Sequence, residues 1–168
     1  FYFPFNPGNG VSAEKVDLLV GDVAQNWQAS SCNATPGLGN CVAVVGGSEV
    51  TISTTSVVIS EVMANAKVEA RGEFVELFNA GPVGVDVAGW KLSDGDATDT
   101  IRDWKGGTTV IGPGEFAVVL DPDYTTNTYY FPAGAVRLTV DGANLGNGLT
   151  TNDSVTLYES DGVTLVST

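Results

Sequence analysis

The chain has 168 residues, of which 43% are hydrophobic and 16% are charged, a balance typical of a globular domain rather than a disordered chain. It contains no histidine, which excludes Ser-His-Asp and Cys-His catalysis and histidine-ligated zinc. The formal net charge of −13 makes nucleic acids and anionic membrane surfaces unfavourable partners. No apolar run approaches the ~20 residues that a membrane-spanning helix needs, so we expect no membrane insertion.

The first part of the chain carries weak strand signals. The aromatic run Phe1–Phe5 contains a proline, which limits it to an edge strand or an irregular segment. Residues 11–21 have room for one strand, and residues 25–40 are predicted to form a loop. Residues 42–56 are small and β-branched, and we interpret them as a linker, with or without a short strand.

The two cysteines, Cys32 and Cys41, lie on either side of a Thr35-Pro36-Gly37 turn. Proline fixes φ and glycine allows positive φ, so this tripeptide can bring the two ends of the segment together. A Cys32–Cys41 disulfide is therefore predicted, with two buried free thiols as the alternative. A disulfide would indicate an oxidising compartment, and hence a secreted or cell-surface protein.

From residue 57 onward, short strand patterns alternate with turn signals. Glu73–Asn79 has apolar side chains on both faces, which is typical of a central strand covered on both sides. Asp161-Gly162 predicts a tight hairpin. Strands are predicted at residues 57–63, 73–79, 85–87, 90–92, 116–120, 136–140, 154–158 and 163–167. This spacing predicts an all-β, immunoglobulin-like β-sandwich, with Trp90 as its core tryptophan.

Segments in this region resemble a known family. Val58–Met63, Gly72–Asn79 and Val85–Asp94 are similar, in this order, to segments of the lamin tail domain family, and residues 111–116 and 152–158 continue the resemblance. This family comprises the immunoglobulin-like domain of nuclear lamins and occurs in many secreted bacterial proteins. The resemblance covers residues 57–168 and implies a β-sandwich without catalytic activity.

The usual ending of this family is similar to the front of the chain. Gly10–Lys15, Asn26-Trp27 and Thr35–Asn40 resemble the family's closing Gly-x-Ser-x-Glu-Arg, Asn-Trp and Thr-Pro-Gly-x-x-Asn blocks, with Lys15 where arginine is commoner. The chain would then be a circularly permuted domain, or a cut from a tandem array that joins the end of one copy to the start of the next.

In both arrangements the chain divides in the same way. Residues 1–41 would complete the sandwich of the main domain, residues 57–168, with residues 42–56 as the linker. The completion would occur within one chain or by strand exchange between chains. We expect residues 1–20 to lie in the same sheet system as residues 154–168.

Two acidic clusters are candidate sites. Asp94, Asp96 and Asp99, with Asp103 following, offer the oxygen ligands that calcium prefers, although their spacing is not that of an EF-hand. The alternative is a set of solvated turn residues. Glu61, Glu73 and Glu76 could be imagined as the paired acids of a glycosidase, but a small sandwich without an evident cleft argues against catalysis.

The sequence therefore predicts a non-catalytic structural or interaction module of a secreted or cell-surface protein. Its role would be adhesion, targeting or the spacing of other domains, with a protein or a cell surface as its partner and no cofactor other than calcium. The alternative is a calcium-dependent or carbohydrate-binding accessory module that works through the Asp94 loop.

Overall fold

A computed structural model describes residues 5–19, 23–41, 57–125 and 129–168, and within these ranges the chain is almost entirely β. The predicted linker and most of the aromatic run Phe1–Phe5 lie outside the described residues. One four-residue helix, α1 (Glu69–Gly72), and one 3-10 turn (Ala24–Asn26) are present in the described part. The strands are β1 (Ala13–Lys15), β2 (Trp27–Ala29), β3 (Val57–Met63), β4 (Phe74–Asn79), β5 (Val85–Asp86), β6 (Lys91–Ser93), β7 (Thr98–Asp103), β8 (Val110–Ile111), β9 (Phe116–Leu120), β10 (Val136–Val140), β11 (Thr156–Tyr158) and β12 (Leu165–Ser167).

Ten of the described strands form one sheet in the order β12-β11-β6-β7-β10-β9-β4-β3-β1-β2, and β5 pairs with β8. Strand β7 belongs to both halves of this sheet, because Thr98–Thr100 pairs with β6 and Ile101–Asp103 pairs with β10. At the other end of the order, β12 returns to β3, where the Ile59 N–H donates to Ser167 Oγ at 3.1 Å. The sheet therefore curls into two layers, and the predicted all-β sandwich is confirmed.

The main hydrophobic core lies between the two layers. Trp27 is only 3% exposed and lies inside this core, whereas Trp90 is half-buried and packs against its margin. Phe5 also packs against the core, so the N-terminal segment contributes to it directly. The buried residues of the main core include Ala13, Val57, Ile59, Val62, Val75, Leu77, Val87, Leu92, Ile101, Ile111, Ala117, Val119, Leu138, Leu145 and Leu157.

The outer face of the first layer is covered as well, which confirms the pattern predicted for Glu73–Asn79. Phe74 points into a second cluster, while Val75 and Leu77 point into the main core, and all three are fully buried. An aromatic segment lies over this second cluster, where Tyr124 and Tyr129 stack with ring centroids 6.1 Å apart. Its buried members are Met63, Ala66, Phe74, Val118, Leu120 and Tyr124.

The N-terminal segment extends the first layer. Strand β1 pairs antiparallel with β3, with Ala13 opposite Val62 and Glu14 opposite Glu61, and β2 pairs on the far side of β1. Strand β1 thus lies in the same ten-stranded sheet as β11 and β12, as expected, although its direct neighbour is β3. Residues on both sides of the predicted linker therefore build one sheet and one core.

We predict that Trp27→Ala lowers the stability of the whole chain, because this side chain fills a core shared with β3 and β4. The expected loss is about 3–5 kcal/mol, as for other buried aromatic residues. Urea unfolding followed by tryptophan fluorescence and circular dichroism would show one transition at a lower midpoint. The exposed neighbour provides a control, because Gln28→Ala should stay within about 0.5 kcal/mol. Two separate transitions in Trp27→Ala would contradict the shared core.

Candidate functional site: three buried glutamates beneath the disulfide loop

Three glutamates form a row on the outer face of the first layer. Glu14 on β1 is the register partner of Glu61 on β3, and Glu61 is the register partner of Glu76 on β4. Directly opposed residues on adjacent strands share one face of a sheet, so the three side chains are neighbours. All three residues are 0% exposed. We call Glu14, Glu61 and Glu76 the carboxylate row.

The segment between the cysteines covers this row. Cys32 and Cys41 form a disulfide, and we call residues 31–41 the disulfide loop. Its backbone N–H groups donate to each glutamate in turn. The acceptors and their donors are Glu61 Oε1 with Thr35 N at 2.8 Å, Glu76 Oε2 with Gly37 N at 2.5 Å, and Glu14 Oε2 with Cys41 N at 2.7 Å. The buried acids therefore hold the loop against the sheet.

The hydroxyl of Thr35 joins two members of the row. Thr35 Oγ1 lies 2.7 Å from Glu14 Oε1 and 3.1 Å from Glu61 Oε2. A hydroxyl carries one hydrogen and can donate to only one of these oxygens. If Thr35 donates to one of the two carboxyls, its contact with the other carboxyl is a hydrogen bond only when that carboxyl is protonated and donates to Thr35 Oγ1. The geometry therefore fits a protonated Glu61 that donates to Thr35 Oγ1, while Thr35 donates across the shorter contact to Glu14 Oε1.

Two further residues of the Thr35–Asn40 block, Gly37 and Asn40, also have structural roles. Gly37 has φ +79°, and a Cβ on it would lie 3.1 Å from the Ala135 side chain, so any other residue would be strained there. Asn40 Nδ2 donates to Lys15 O on β1 and to Ser60 O on β3, both at 2.9 Å. Ser60 lies where the β3–β4 register shifts, so Asn40 fastens the loop to an irregular point of the sheet.

The surroundings of Glu61 and Glu76 favour the protonated form of each carboxyl. Burial raises the pKa of Glu61 from its ordinary 4.5 to about 7, the hydroxyl of Ser12 and the amide of Thr35 oppose this shift, and the charge of Glu14 adds to it. Burial also raises the pKa of Glu76 well above 4.5, and the charge of Glu61 raises it further. Closely spaced carboxylates that receive neutral donors cannot all ionise without cost.

The predicted grouping of acids is partly different in the structure. Glu61 and Glu76 are neighbours, but Glu73 lies elsewhere, where its Oε2 accepts a hydrogen bond from Leu149 N at 3.0 Å. Glu14 takes the third place in the row, and sequence reasoning missed it because its strand has only three residues. The buried row has no exposed carboxyl with which to protonate a glycosidic oxygen.

Asp94, the first residue of the proposed calcium loop, is buried and anchors two turns. Its Oδ1 accepts hydrogen bonds from Asp96 N and Ala97 N at 2.9 and 2.7 Å, and its Oδ2 accepts one from Asn147 N at 2.8 Å. Burial tends to raise the pKa of Asp94, but these backbone donors outweigh it and leave the pKa lowered.

Asp99 has a similar anchoring role. Its Oδ2 accepts a hydrogen bond from Gly146 N at 2.6 Å. Burial raises the pKa of Asp99, the Gly146 amide opposes this shift, and the charge of Asp94 adds to it. Among the described residues, no group of three or more Asp, Glu, Cys or His side chains has an arrangement that could hold a metal ion. Asp96 is exposed, and calcium binding by this loop stays a prediction.

A groove of about 310 Å³ opens beside the disulfide loop. We call it the tyrosine groove. It lies between the loop and Tyr129-Tyr130, with Lys67 and Gly10 on the remaining side. Thr35 lines this groove and also contacts the carboxylate row, so the two features share a residue. The described residues that line it are Gly10, Cys32, Asn33, Ala34, Thr35, Leu38, Lys67, Tyr129 and Tyr130.

We predict that the protein becomes less stable as the pH rises from about 4.5 to about 7, the window between the ordinary and the raised pKa of Glu61. Within it the folded state binds more protons than the unfolded state, so the free energy of unfolding falls with increasing pH. The contribution of Glu61 is about 3 kcal/mol. Thermal unfolding at several pH values measures it. The lowered pKa values of Asp86, Asp94 and Asp161 act only below their ordinary 3.8.

Glu61→Gln should remove the part of this pH dependence that Glu61 contributes, while the raised pKa of Glu76 continues to contribute. The glutamine Oε1 can accept from Thr35 N, and its Nε2 can donate to Thr35 Oγ1, which reproduces the protonated carboxyl. Glu159→Gln, on the surface, removes one charge without touching the row and is the matched control. Equal pH dependence in Glu61→Gln and the control would show that Glu61 does not hold a proton in this pH range.

The family comparison agrees with this architecture. The profile of the Lamin Tail Domain family matches residues 51–168, which include β3 to β12. A comparison with curated proteins gives no match. The matched residues cover more than two thirds of the chain and contain eight of the ten strands in the sheet described above, all except β1 and β2. The chain therefore belongs to the Lamin Tail Domain family.

Proposed function

We propose that this chain is a non-catalytic interaction module of a secreted or cell-surface protein, serving adhesion, targeting or the spacing of other domains. The observation that carries the proposal is the use of the carboxylate row. Its acids are fully buried and accept hydrogen bonds from the disulfide loop and neighbouring hydroxyls. They support a surface, the tyrosine groove, rather than a reaction.

The disulfide supports the proposed compartment. Cys32 and Cys41 are joined, and Cys32 is exposed. Cytosolic thiol systems keep exposed cysteines reduced, whereas secreted and surface proteins retain such bonds. None of the helices in the described ranges has the length and apolar character needed to cross a membrane.

The N-terminal segment supports a second aspect of the proposal, the exchange of ends between chains. Its contacts with the main domain are the β1–β3 ladder, the hydrogen bonds to the carboxylate row and the packing of Trp27. All of these contacts are non-covalent, so an equivalent segment of another copy would make them equally well. This holds for a permuted domain and for a tandem array.

A turnover assay tests the non-catalytic proposal. We predict that the purified chain releases no products from a panel of soluble plant and bacterial polysaccharides, measured by chromatography and mass spectrometry. Glu61→Gln and Glu76→Gln proteins are the controls, and all three samples should match the blank. Products that appear with the native chain and vanish with either variant would contradict the proposal.

The alternative is a calcium-dependent or carbohydrate-binding module that works through the Asp94 loop. The mutual repulsion of Asp94 and Asp99 favours it, because a cation would relieve this repulsion. Their bonds to Asn147 and Gly146 give both acids a role without a metal, which favours the main proposal.

We therefore predict that millimolar calcium leaves the thermal midpoint unchanged, with magnesium as the control ion. Under the alternative, 5 mM calcium acting on a site with a dissociation constant near 0.1 mM would add about 2 kcal/mol of stability. That gain would disappear in Asp96→Asn, because Asp96 is the exposed acid of the loop. A midpoint that rises with calcium but not with magnesium would favour the alternative.

A further inference from the structure

We propose that the tyrosine groove binds an extended peptide segment of a partner protein, one that presents an apolar or aromatic side chain next to a carboxylate. This inference rests on the proposed function as an interaction module and names the chemistry of its partner. Three observations support it: the charge of the groove, the exposure of its apolar side chains, and the hydrogen bonds that its hydroxyl groups already make within the protein.

The charge of the groove differs from that of the chain. The chain has 20 acidic and 7 basic residues, yet the described residues that line the groove include no aspartate or glutamate and one lysine, Lys67. Lys67 is exposed, and its stem lies against Gly10, where an added Cβ would be 2.6 Å from Lys67 Cγ. The ammonium group is therefore positioned at the rim, where it complements a carboxylate on the partner.

Two exposed side chains give the groove apolar surface. The Tyr130 residue is 79% exposed and Leu38 is 45% exposed, and both line the same groove. Exposed tyrosine is the kind of residue that anchors interfaces, because it buries a large ring and keeps its hydroxyl available to solvent or a partner. An apolar side chain placed between Tyr130 and Leu38 would bury both.

The floor of the groove is held in place. The Tyr129 hydroxyl donates to Gly72 O at 2.7 Å, and the Tyr129 ring meets the Phe74 ring edge-to-face with centroids 5.2 Å apart. Ala34 packs against the second cluster, and Thr35 is fixed by the carboxylate row. A floor that is already ordered lowers the entropy cost of binding.

The polar groups favour a peptide over a saccharide. The hydroxyl of Thr35 is used by Glu14 and Glu61, and that of Tyr129 by Gly72. A sugar ring would bury several hydroxyls that need partners, and unpaired ones are costly. A peptide side chain needs apolar surface and one charge partner, which Tyr130, Leu38 and Lys67 supply.

Panning of a random 12-residue phage-displayed library against the intact chain tests the proposal. The overall charge of −13 would by itself enrich basic peptides, so enrichment of peptides with Asp or Glu beside an aromatic or aliphatic residue is a discriminating result. The enriched peptides are then synthesised, and their affinities are measured by calorimetry for native and variant chains.

We expect Tyr130→Ser to weaken binding about tenfold or more, as for an interface anchor. Lys67→Gln should weaken it about three- to tenfold and reduce its dependence on salt. The controls remove an exposed apolar group and an exposed cation away from the groove, Val163→Ser and Lys105→Gln, and should bind normally. Thermal unfolding checks that all four variants remain folded.

Three outcomes would overturn the proposal. The first is enrichment of basic peptides only, or of none. The second is equal affinity for the native chain and Tyr130→Ser. The third is Tyr130-dependent binding to neutral or uronate oligosaccharides on an array without binding to the enriched peptides. None of these requires turnover, so failure of the groove proposal is distinguishable from failure of the non-catalytic proposal.

Discussion

The burial of three carboxyl groups side by side is the constraint on which the rest of the first layer depends. Glu14, Glu61 and Glu76 are removed from water on adjacent strands, and burial of charge without compensation is prohibitive. The disulfide loop supplies that compensation through backbone N–H groups, and the raised pKa of Glu61 and Glu76 supplies the rest. The disulfide loop and the edge of the sheet are therefore stable only together. This explains why the loop stabilises β4, although the two are far apart in the sequence.

The same arrangement relates the interior to the surface. Thr35 contacts the carboxylate row on one side and lines the tyrosine groove on the other. The aromatic segment around Tyr129 covers the second cluster and forms the opposite wall. The disulfide loop and the aromatic segment thus cover the same face of the sheet, and the groove is the space between them. Its shape follows from how each cover is attached to the sheet.

The sequence predicted the strands in which apolar residues recur at a regular spacing. It missed strands that have few apolar residues or that are defined by pairing with residues far away in the sequence. The two-faced pattern of Glu73–Asn79 and the Asp161-Gly162 turn were sufficient to predict β4 and the last hairpin, in which Glu159 N donates to Thr164 O. Strand β7 was missed because Thr98–Asp103 has one aliphatic residue, Ile101, among polar ones. Strand β2 was missed because a loop was predicted over the residues after Gln25, and its three residues are defined by pairing with β1. The family resemblance indicated that residues 10–40 resemble a closing segment. It did not show that Thr35 and Gly37 bind buried acids, since that depends on contacts across more than 25 residues.

The attachment of the disulfide loop has a consequence for how the molecule fluctuates. The amides of Thr35, Gly37 and Cys41 belong to no strand, yet their acceptors are among the most deeply buried groups of the sheet. Releasing any of these amides leaves a buried carboxyl oxygen without its backbone donor, which is costly, so we expect the loop to open together with the edge of the sheet. In hydrogen-exchange terms, this surface loop belongs to the same cooperative unit as β1, β3 and β4, and its slowest amides should report the stability of that unit rather than local fraying.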